Sequence, residues 1–249
     1  GPGRLPEIDA IVAQIEATLE PQAKPLAGKH ALITAGPTRE PLDPVRFLSN
    51  HSSGKQGYAI ASALAAAGAD VTLVSGPVAL APPPGVTMRH VETAREMLAA
   101  CQNALPADVF ISVAAVADWR PDSVADRKLK LKDEGKGPPS LSLAENPDIL
   151  ATLSALTVDR PTLVIGFAAE TNDVEAHALA KMKRKGCDWI VANDVSGDVM
   201  GGSENEVALV TGEGIERWPR MGKDAVATRL AERIAQALVG QGDRQIAAE

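Results

Sequence analysis

From Lys29 onward the chain alternates short, continuous apolar runs with Ala-rich stretches of helical period. HALITAG (30–36) is apolar and ends in glycine, the pattern of a strand buried on both faces. GYAIASALAAAG (57–68) predicts a helix closed by Gly68, a residue type suited to the left-handed position after a last turn. DVTLVSG (70–76), DVFISVAAVA (108–117), PTLVIGFAA (161–169) and DWIVAND (188–194) predict four further strands. Thr93 and Glu96 have capping-box spacing and open a helix running to about Leu105. Asn146-Pro147 has the order of a capping residue and a first-turn proline, for a helix reaching about Leu156. Asn172 and Glu175 suggest another cap, with a helix to Gly186. EVALVT-GEG-IERWPR reads as a terminal hairpin, and 223–239 as the last helix.

Strand-helix alternation implies an α/β fold: a Rossmann-like parallel sheet with helices on both faces and a carboxy-terminal antiparallel hairpin. The predicted organisation is residues 1–28 as a tag remnant and linker from a preceding domain, 29–240 as the compact domain, and 241–249 as a tail. Gly1-Pro2-Gly3 reads as an expression scar, and residues 7–19 can form a short amphipathic helix ahead of a Pro-containing stretch. In such sheets ligands bind beyond the carboxyl ends of the strands. The polar segments that follow the strands are therefore the places to look for chemistry. Two of them, 36–57 and 118–145, are too long for tight turns, and long loops in a compact domain are usually functional or disordered.

Composition narrows the classes. The net charge is −7, a poor start for a nucleic-acid binder, which presents a basic face. No apolar run approaches the roughly 20 residues that span a bilayer. Cys101 and Cys187 lie far apart, which argues against a disulfide framework and fits a reducing, cytoplasmic setting. With only three Phe, three Trp and one Tyr, the core must be built from Ala, Val, Leu and Ile.

An acidic protein that binds an anion needs local positive charge, and the strand-following segments supply it. SNHSSGKQG (49–57) stands before a helix, where Ser hydroxyls, Gly54 and the first N–H groups suit a phosphate and Lys55 adds charge. It is neither a GxGxxG nor a Walker A loop, since Ser49 and Gln56 stand where the latter needs Gly and Ser or Thr. An ordinary Ser-rich cap gives the same pattern. Asp118 follows the third strand, where a carboxylate can accept from a sugar hydroxyl, hold a metal or cap a turn. KLKLK (128–132) as a strand puts Lys128, Lys130 and Lys132 on one face, suited to a polyphosphate or to a solvated edge that resists aggregation. Lys181 and Lys185 share a helix face near a carboxyl end, where positive charge is favoured anyway. Asn193-Asp194 could read a polar base or cap a loop. No His/Cys/Asp/Glu grouping has zinc spacing, and no G-x-S-x-G supports a hydrolase.

In order along the chain, ITAGPTREPLDPVRFLSNHSSGKQG, AAVADWRP, KLKLK, ENPDIL, GFAAET and VANDVSG resemble bacterial phosphopantothenoylcysteine synthetase. That enzyme is usually the carboxy-terminal half of a bifunctional protein whose amino-terminal half is a flavin-dependent decarboxylase. The resemblance covers about Lys29 to Leu238 and implies an excised domain, with residues 4–28 the connecting remnant and the flavin belonging to the absent half. It implies a CTP-dependent ligase of coenzyme A biosynthesis. The carboxylate of 4'-phosphopantothenate attacks CTP, an acyl-cytidylate forms with release of pyrophosphate, and cysteine displaces CMP. Mg²⁺ is implied with the triphosphate, and the metal ligands stay open. The implied CTP site is Ser112, Ala114, Asp118, Lys128, Asn146, Pro147, Asp148, Ile149, Phe167, Lys181 and Lys185. The implied catalytic residues are Lys128, for the first step, and Asn50, for the second. Asn50, Ser52, Ser53, Gly54, Lys55 and Arg46 are the implied phosphopantothenate contacts. The resemblance also implies a homodimer, with the Pro-rich arm around 41–47 reaching the partner and Arg46 contributing across the interface. Leu131 stands where some relatives carry another Lys, which weakens Lys130 and Lys132 as individual contacts.

Two other readings compete. An NAD(P)-dependent oxidoreductase is disfavoured by the missing glycines and by SGP, rather than an acidic residue, after the second predicted strand. A non-catalytic nucleotide-binding subunit is disfavoured by the joint presence of Asn50, Asp118 and Lys128.

Overall fold

The structure is a computed structural model and describes residues 24–129, 140–170, 173–194 and 204–246. Strand β1 (His30–Ala35) is followed by a small hairpin, β2 (Arg39–Pro41) and β3 (Phe47–Ser49), and then by helix α1 (Lys55–Ala66). Next come β4 (Asp70–Ser75), β5 (Val86–His90), α2 (Ala94–Gln102) and β6 (Val109–Ser112). A second small hairpin, β7 (Trp119–Pro121) and β8 (Leu143–Glu145), precedes α3 (Ile149–Ser154) and β9 (Leu163–Glu170). The chain then runs through α4 (Val174–Lys185), β10 (Trp189–Asp194), β11 (Glu204–Thr211), β12 (Gly214–Gly222) and α5 (Lys223–Ile246).

The main sheet has the order β12-β11-β10-β9-β6-β1-β4-β5. Strands β5, β4, β1, β6, β9 and β10 are parallel, whereas β11 and β12 add antiparallel at one end. From β1 the chain winds outward to β4 and β5, then crosses back to β6, β9 and β10. That reversal between β1 and β6 opens a crevice at the carboxyl ends of the strands.

The apolar runs are explained by burial on both faces. Ala31, Ile33 and Ala35 of β1, Val109 and Ile111 of β6 and Leu163 and Ile165 of β9 pack into one core with Tyr58, Ile60 and Leu64 of α1 and Val226, Leu230 and Ile234 of α5. Their neighbours Leu32, Phe110 and Val164 face the other core, with Met97 of α2, Leu153 of α3 and Ala178 of α4. The period of two is that of a pleated strand, but both sides are covered, so no polar alternation appears in the sequence. Leu26 joins the first core, and its N–H donates to Ala67 O at 3.0 Å.

Several boundaries differ from the sequence reading. Strand β6 ends at Ser112, its last residue paired with both β1 and β9; beyond it the chain stays beside the segment that follows β1, through Val113 N–H to Thr34 O, Ala115 N–H to Gly36 O and a bridge to Pro37. Helix α3 is capped by Asp148, whose Oδ1 accepts from Ala151 N–H at 3.0 Å, not by Asn146, which turns its amide elsewhere. Asn172 lies outside the described residues; Asp173 precedes α4 with φ 46° and offers no side-chain cap. Gly68 has φ 94° as expected after α1, α4 closes at Gly186 with φ 67°, and the Thr93–Glu96 capping box is present. Helix α2 ends at Gln102, short of Leu105, and α5 continues past 239 to Ile246. Beyond Leu129 the KLKLK segment lies outside the described residues, as does 195–203. No helix among the described residues is long and apolar enough to cross a membrane.

Candidate active site

A cleft of about 360 Å³ opens beyond the carboxyl ends of β6 and β9. Ser112 ends β6, Phe167 lies on β9, Ile149 begins α3, and Lys181 and Lys185 come from α4. Asp118, Asn146, Pro147 and Asp148 complete the wall with Ala114. The implied CTP residues other than Lys128 therefore line one cavity. Lys128 is exposed and stands outside the cleft lining.

The wall from Val113 to Asp118 lies past the end of β6, and its backbone groups are held by the buried hydroxyls of Thr34 and Thr38 and by two side-chain amides. Thr34 Oγ1 accepts from Val113 and Ala114 N–H, at 3.2 and 3.3 Å, and Thr38 Oγ1 accepts from Ala117 N–H at 3.0 Å. Asn50 Nδ2 donates to Val116 O at 3.0 Å, and Asn146 Nδ2 donates to Ala117 O at 2.9 Å. Asn146 N–H also reaches Asp118 O at 2.8 Å. One loop is thus clasped from both sides. Asn146 Oδ1 is buried and accepts from no group among the described residues, a cost that a donor on a ligand would relieve.

The charges of the cleft are coupled. Lys181 Nζ donates to Phe167 O at 2.7 Å, and Lys185 pairs with Asp148. Burial pushes the Asp148 carboxyl up, but the Lys185 ammonium, the Ala151 N–H and the charge of Lys181 outweigh it, so it lies below its ordinary value. Asp148 thereby orients Lys185 while capping α3. Asp118 is exposed at the cleft edge. The described residues hold no group of three or more His, Cys, Asp or Glu that could hold a metal.

The predicted phosphate-binding turn is adjacent. Gly54 is the N-cap of α1, at φ 73°, where a Cβ would lie 2.9 Å from Val78 Cγ1. It supplies no side-chain cap, and no acidic residue stands in the first turn. The helix end therefore keeps its partial positive charge for a ligand. Lys55 is exposed, and Ser53 is exposed beside the half-buried Ser52, whose Oγ accepts from Gly54 N–H. At Gly57 a Cβ would lie 2.6 Å from Ala35 Cβ, so glycine there lets α1 approach β1 and brings this turn to the carboxyl end of the sheet. Asn50 joins the turn to the cleft through its bond to Val116 O.

Arg46 lies in the β2–β3 hairpin, with its guanidinium on Asp43 and on Leu129 O of the same chain. Sequence reasoning passed over the wall residues Val116, Ala117, Trp119, Glu145 and Leu150, the hydroxyls of Thr34 and Thr38, and Asp43. A legible sign was ITAGPT, where two threonines flank a Gly-Pro turn directly after a buried strand.

Comparison with known proteins agrees with this fold. The chain is 46% identical over 243 residues to the coenzyme A biosynthesis bifunctional protein CoaBC of Vibrio vulnificus, covering 96% of this chain and 59% of that protein. It is 49% identical over 210 residues to the protein of that name from Escherichia coli K12, covering 84% and 51%. The chain thus spans little more than half the length of these relatives. The crystal structure of the C-terminal domain of a coenzyme A biosynthesis bifunctional protein CoaBC superposes with a TM-score of 0.74 at 42% identity, covering 88% of this chain and all of that one. A model of the DNA/pantothenate metabolism flavoprotein C-terminal domain matches residues 26–238, and with these identities it makes the chain a member of that family.

Proposed function

We propose that this domain is a phosphopantothenate–cysteine ligase, driven by CTP, that acts in coenzyme A biosynthesis. The observation that carries the reading is the convergence of the cleft beyond β6 and β9 with the Asn50–Lys55 turn, through the bond from Asn50 to Val116 O. One cavity suits a nucleotide and the neighbouring helix end suits a phosphorylated acid.

In the first step a carboxylate oxygen of 4'-phosphopantothenate bonds to the α-phosphorus of CTP. The bond to the bridging oxygen breaks, and pyrophosphate leaves. Such a transfer depends on position and charge stabilisation more than on covalent help from the protein. Lys128 is assigned to the charge developing on phosphorus, and Lys181 and Lys185 to the nucleotide's phosphates. In the second step the cysteine amine bonds to the acyl carbon, CMP leaves with the bonding electrons, and the amine loses a proton. Asn50 is assigned to holding the acyl-cytidylate for that attack.

Mg²⁺ fits as an ion brought by the triphosphate. It commonly binds through one or two carboxylates plus substrate phosphates; of the cleft carboxylates Asp118, Glu145 and Asp148, the last is paired with Lys185, and Asp118 at the cleft edge would assist. Its chemistry there would be to neutralise phosphate charge.

The active unit is a homodimer. Val45, Phe47, Trp119 and Leu143, on the two small hairpins and the turn of the first, are exposed large apolar residues of the kind that interfaces cover. In the whole protein a flavin-dependent decarboxylase precedes this domain, and the setting is cytoplasmic. The test is a product assay with CTP, ATP, GTP and UTP in parallel, with NADPH titrated in a thermal-shift control. Phosphopantothenoylcysteine should form with CTP. Product with none of the four, or stabilisation by NADPH alone, overturns the reading.

A further inference from the structure

The Asp43 side chain has no solvent exposure, although it sits in an outlying hairpin turn. Its two oxygens have separate tasks. Oδ1 accepts from Val45 N–H at 2.8 Å and Arg46 N–H at 2.9 Å, which closes the turn. Oδ2 accepts from Arg46 Nε at 3.0 Å, from Arg46 Nη2 at 2.5 Å and from Leu129 N–H at 3.0 Å. Arg46 Nη2 in turn donates to Leu129 O at 2.9 Å. The peptide groups on both sides of Leu129 are therefore gripped by one ion pair. Ala125 N–H adds a third tie, to Leu42 O at 3.0 Å. The Arg46 guanidinium, with the Leu129, Val45 and Arg46 N–H groups, holds the Asp43 carboxyl well below the usual carboxylate range despite its burial.

A turn needs only Oδ1. The Oδ2 half reaches across 86 residues of sequence to the residue directly after Lys128. We propose that Asp43 is a positioning residue, which through Arg46 and Leu129 fixes the backbone of Lys128 for the pyrophosphate-releasing step. The proposal rests on the function assigned above to Lys128. Lys128 carries its charge on a long flexible stem and stands outside the cleft lining, so its placement depends on where its backbone is pinned. Misplacing a reacting group by about 1 Å can cost on the order of 100-fold in rate.

Asp43→Asn separates the two tasks. Its side-chain oxygen can still close the turn, while its amino group faces the three donors that Oδ2 satisfied. The experiment is a double-mutant cycle on pyrophosphate release, with wild type, Asp43→Asn, Lys128→Gln and the double variant, at saturating CTP and 4'-phosphopantothenate. Asp43→Asn should lower kcat by on the order of 10-fold to 100-fold, with KM for CTP nearly unchanged. In the Lys128→Gln background it should cost little more, because the group it positions is gone. Hydrogen exchange at Leu129 should quicken in both backgrounds. Losses that multiply across the two backgrounds, or a near-normal kcat with quickened exchange, overturn the proposal. Wild type that releases no pyrophosphate refutes the functional assignment instead. If Asp43→Asn fails to fold by circular dichroism, Arg46→Lys takes its place. That change keeps a cation for Asp43 but removes the guanidinium arm that also donates to Leu129 O, and the same pattern across backgrounds is expected.

Discussion

Asp148 caps α3 with one oxygen and pairs with Lys185 through the other. Asn at this position retains a good cap but loses the ionic partner. Because the folded carboxyl titrates below its ordinary value, its contribution is present above the unfolded pKa and fades as pH falls through the folded one. Asp148→Asn should therefore lower stability at neutral pH by about 0.2–1 kcal/mol, the range of partly exposed pairs. Urea titrations should show that difference shrinking below the ordinary carboxylate range; a difference that grows in acid contradicts the pairing. At Asn50 the expected outcome is kinetic. Asn50→Ala should still release pyrophosphate but form little product, so that acyl-cytidylate accumulates in a quenched-flow trace. Loss of pyrophosphate release in that variant removes Asn50 from the second step.

At the scale of elements, position depends on close approach. Helix α1 lies against β1 because Gly57 has no Cβ to meet Ala35, and that contact sets where the Asn50–Lys55 turn stands. Gly57→Val should cost about 1–3 kcal/mol by overpacking, read as a lower melting temperature in calorimetry; an unchanged melting temperature would mean the contact is slack. The strands of the sheet's middle were readable because burial on both faces writes them as unbroken apolar runs. Strand β5, with its half-exposed VTMRH, gave no such run. The two small hairpins have three-residue strands, two of them ending in proline, and exist through bonds such as Arg39 N–H to Glu92 O and the stacking of Arg39 over Phe47. Asn146 and Asp148 are both good capping residues; the structure sends Asn146 Nδ2 to Ala117 O and Asp148 Oδ1 to Ala151 N–H. The strand-following loops could be recognised as the place of chemistry, since polar residues gather there. The roles of Thr34, Thr38 and Asp43 could not, since each acts on a segment about 80 residues away that sequence spacing does not reveal.

For the molecule as a whole, an acidic chain concentrates ammonium groups and helix ends at one rim of the sheet, while its two small hairpins carry apolar side chains outward. The outward residues Phe47 and Trp119 predict self-association. Sedimentation should give a dimer, and Phe47→Asp should shift it toward monomer; a wild-type monomer at all working concentrations contradicts that part of the account. The rim makes the stronger claim, that one connected site holds a carboxylate beside the α-phosphorus of a nucleotide. Pyrophosphate release without cysteine tests it most directly. The account predicts release only when CTP and 4'-phosphopantothenate are both present. Release from CTP alone, or none from the pair, would contradict it.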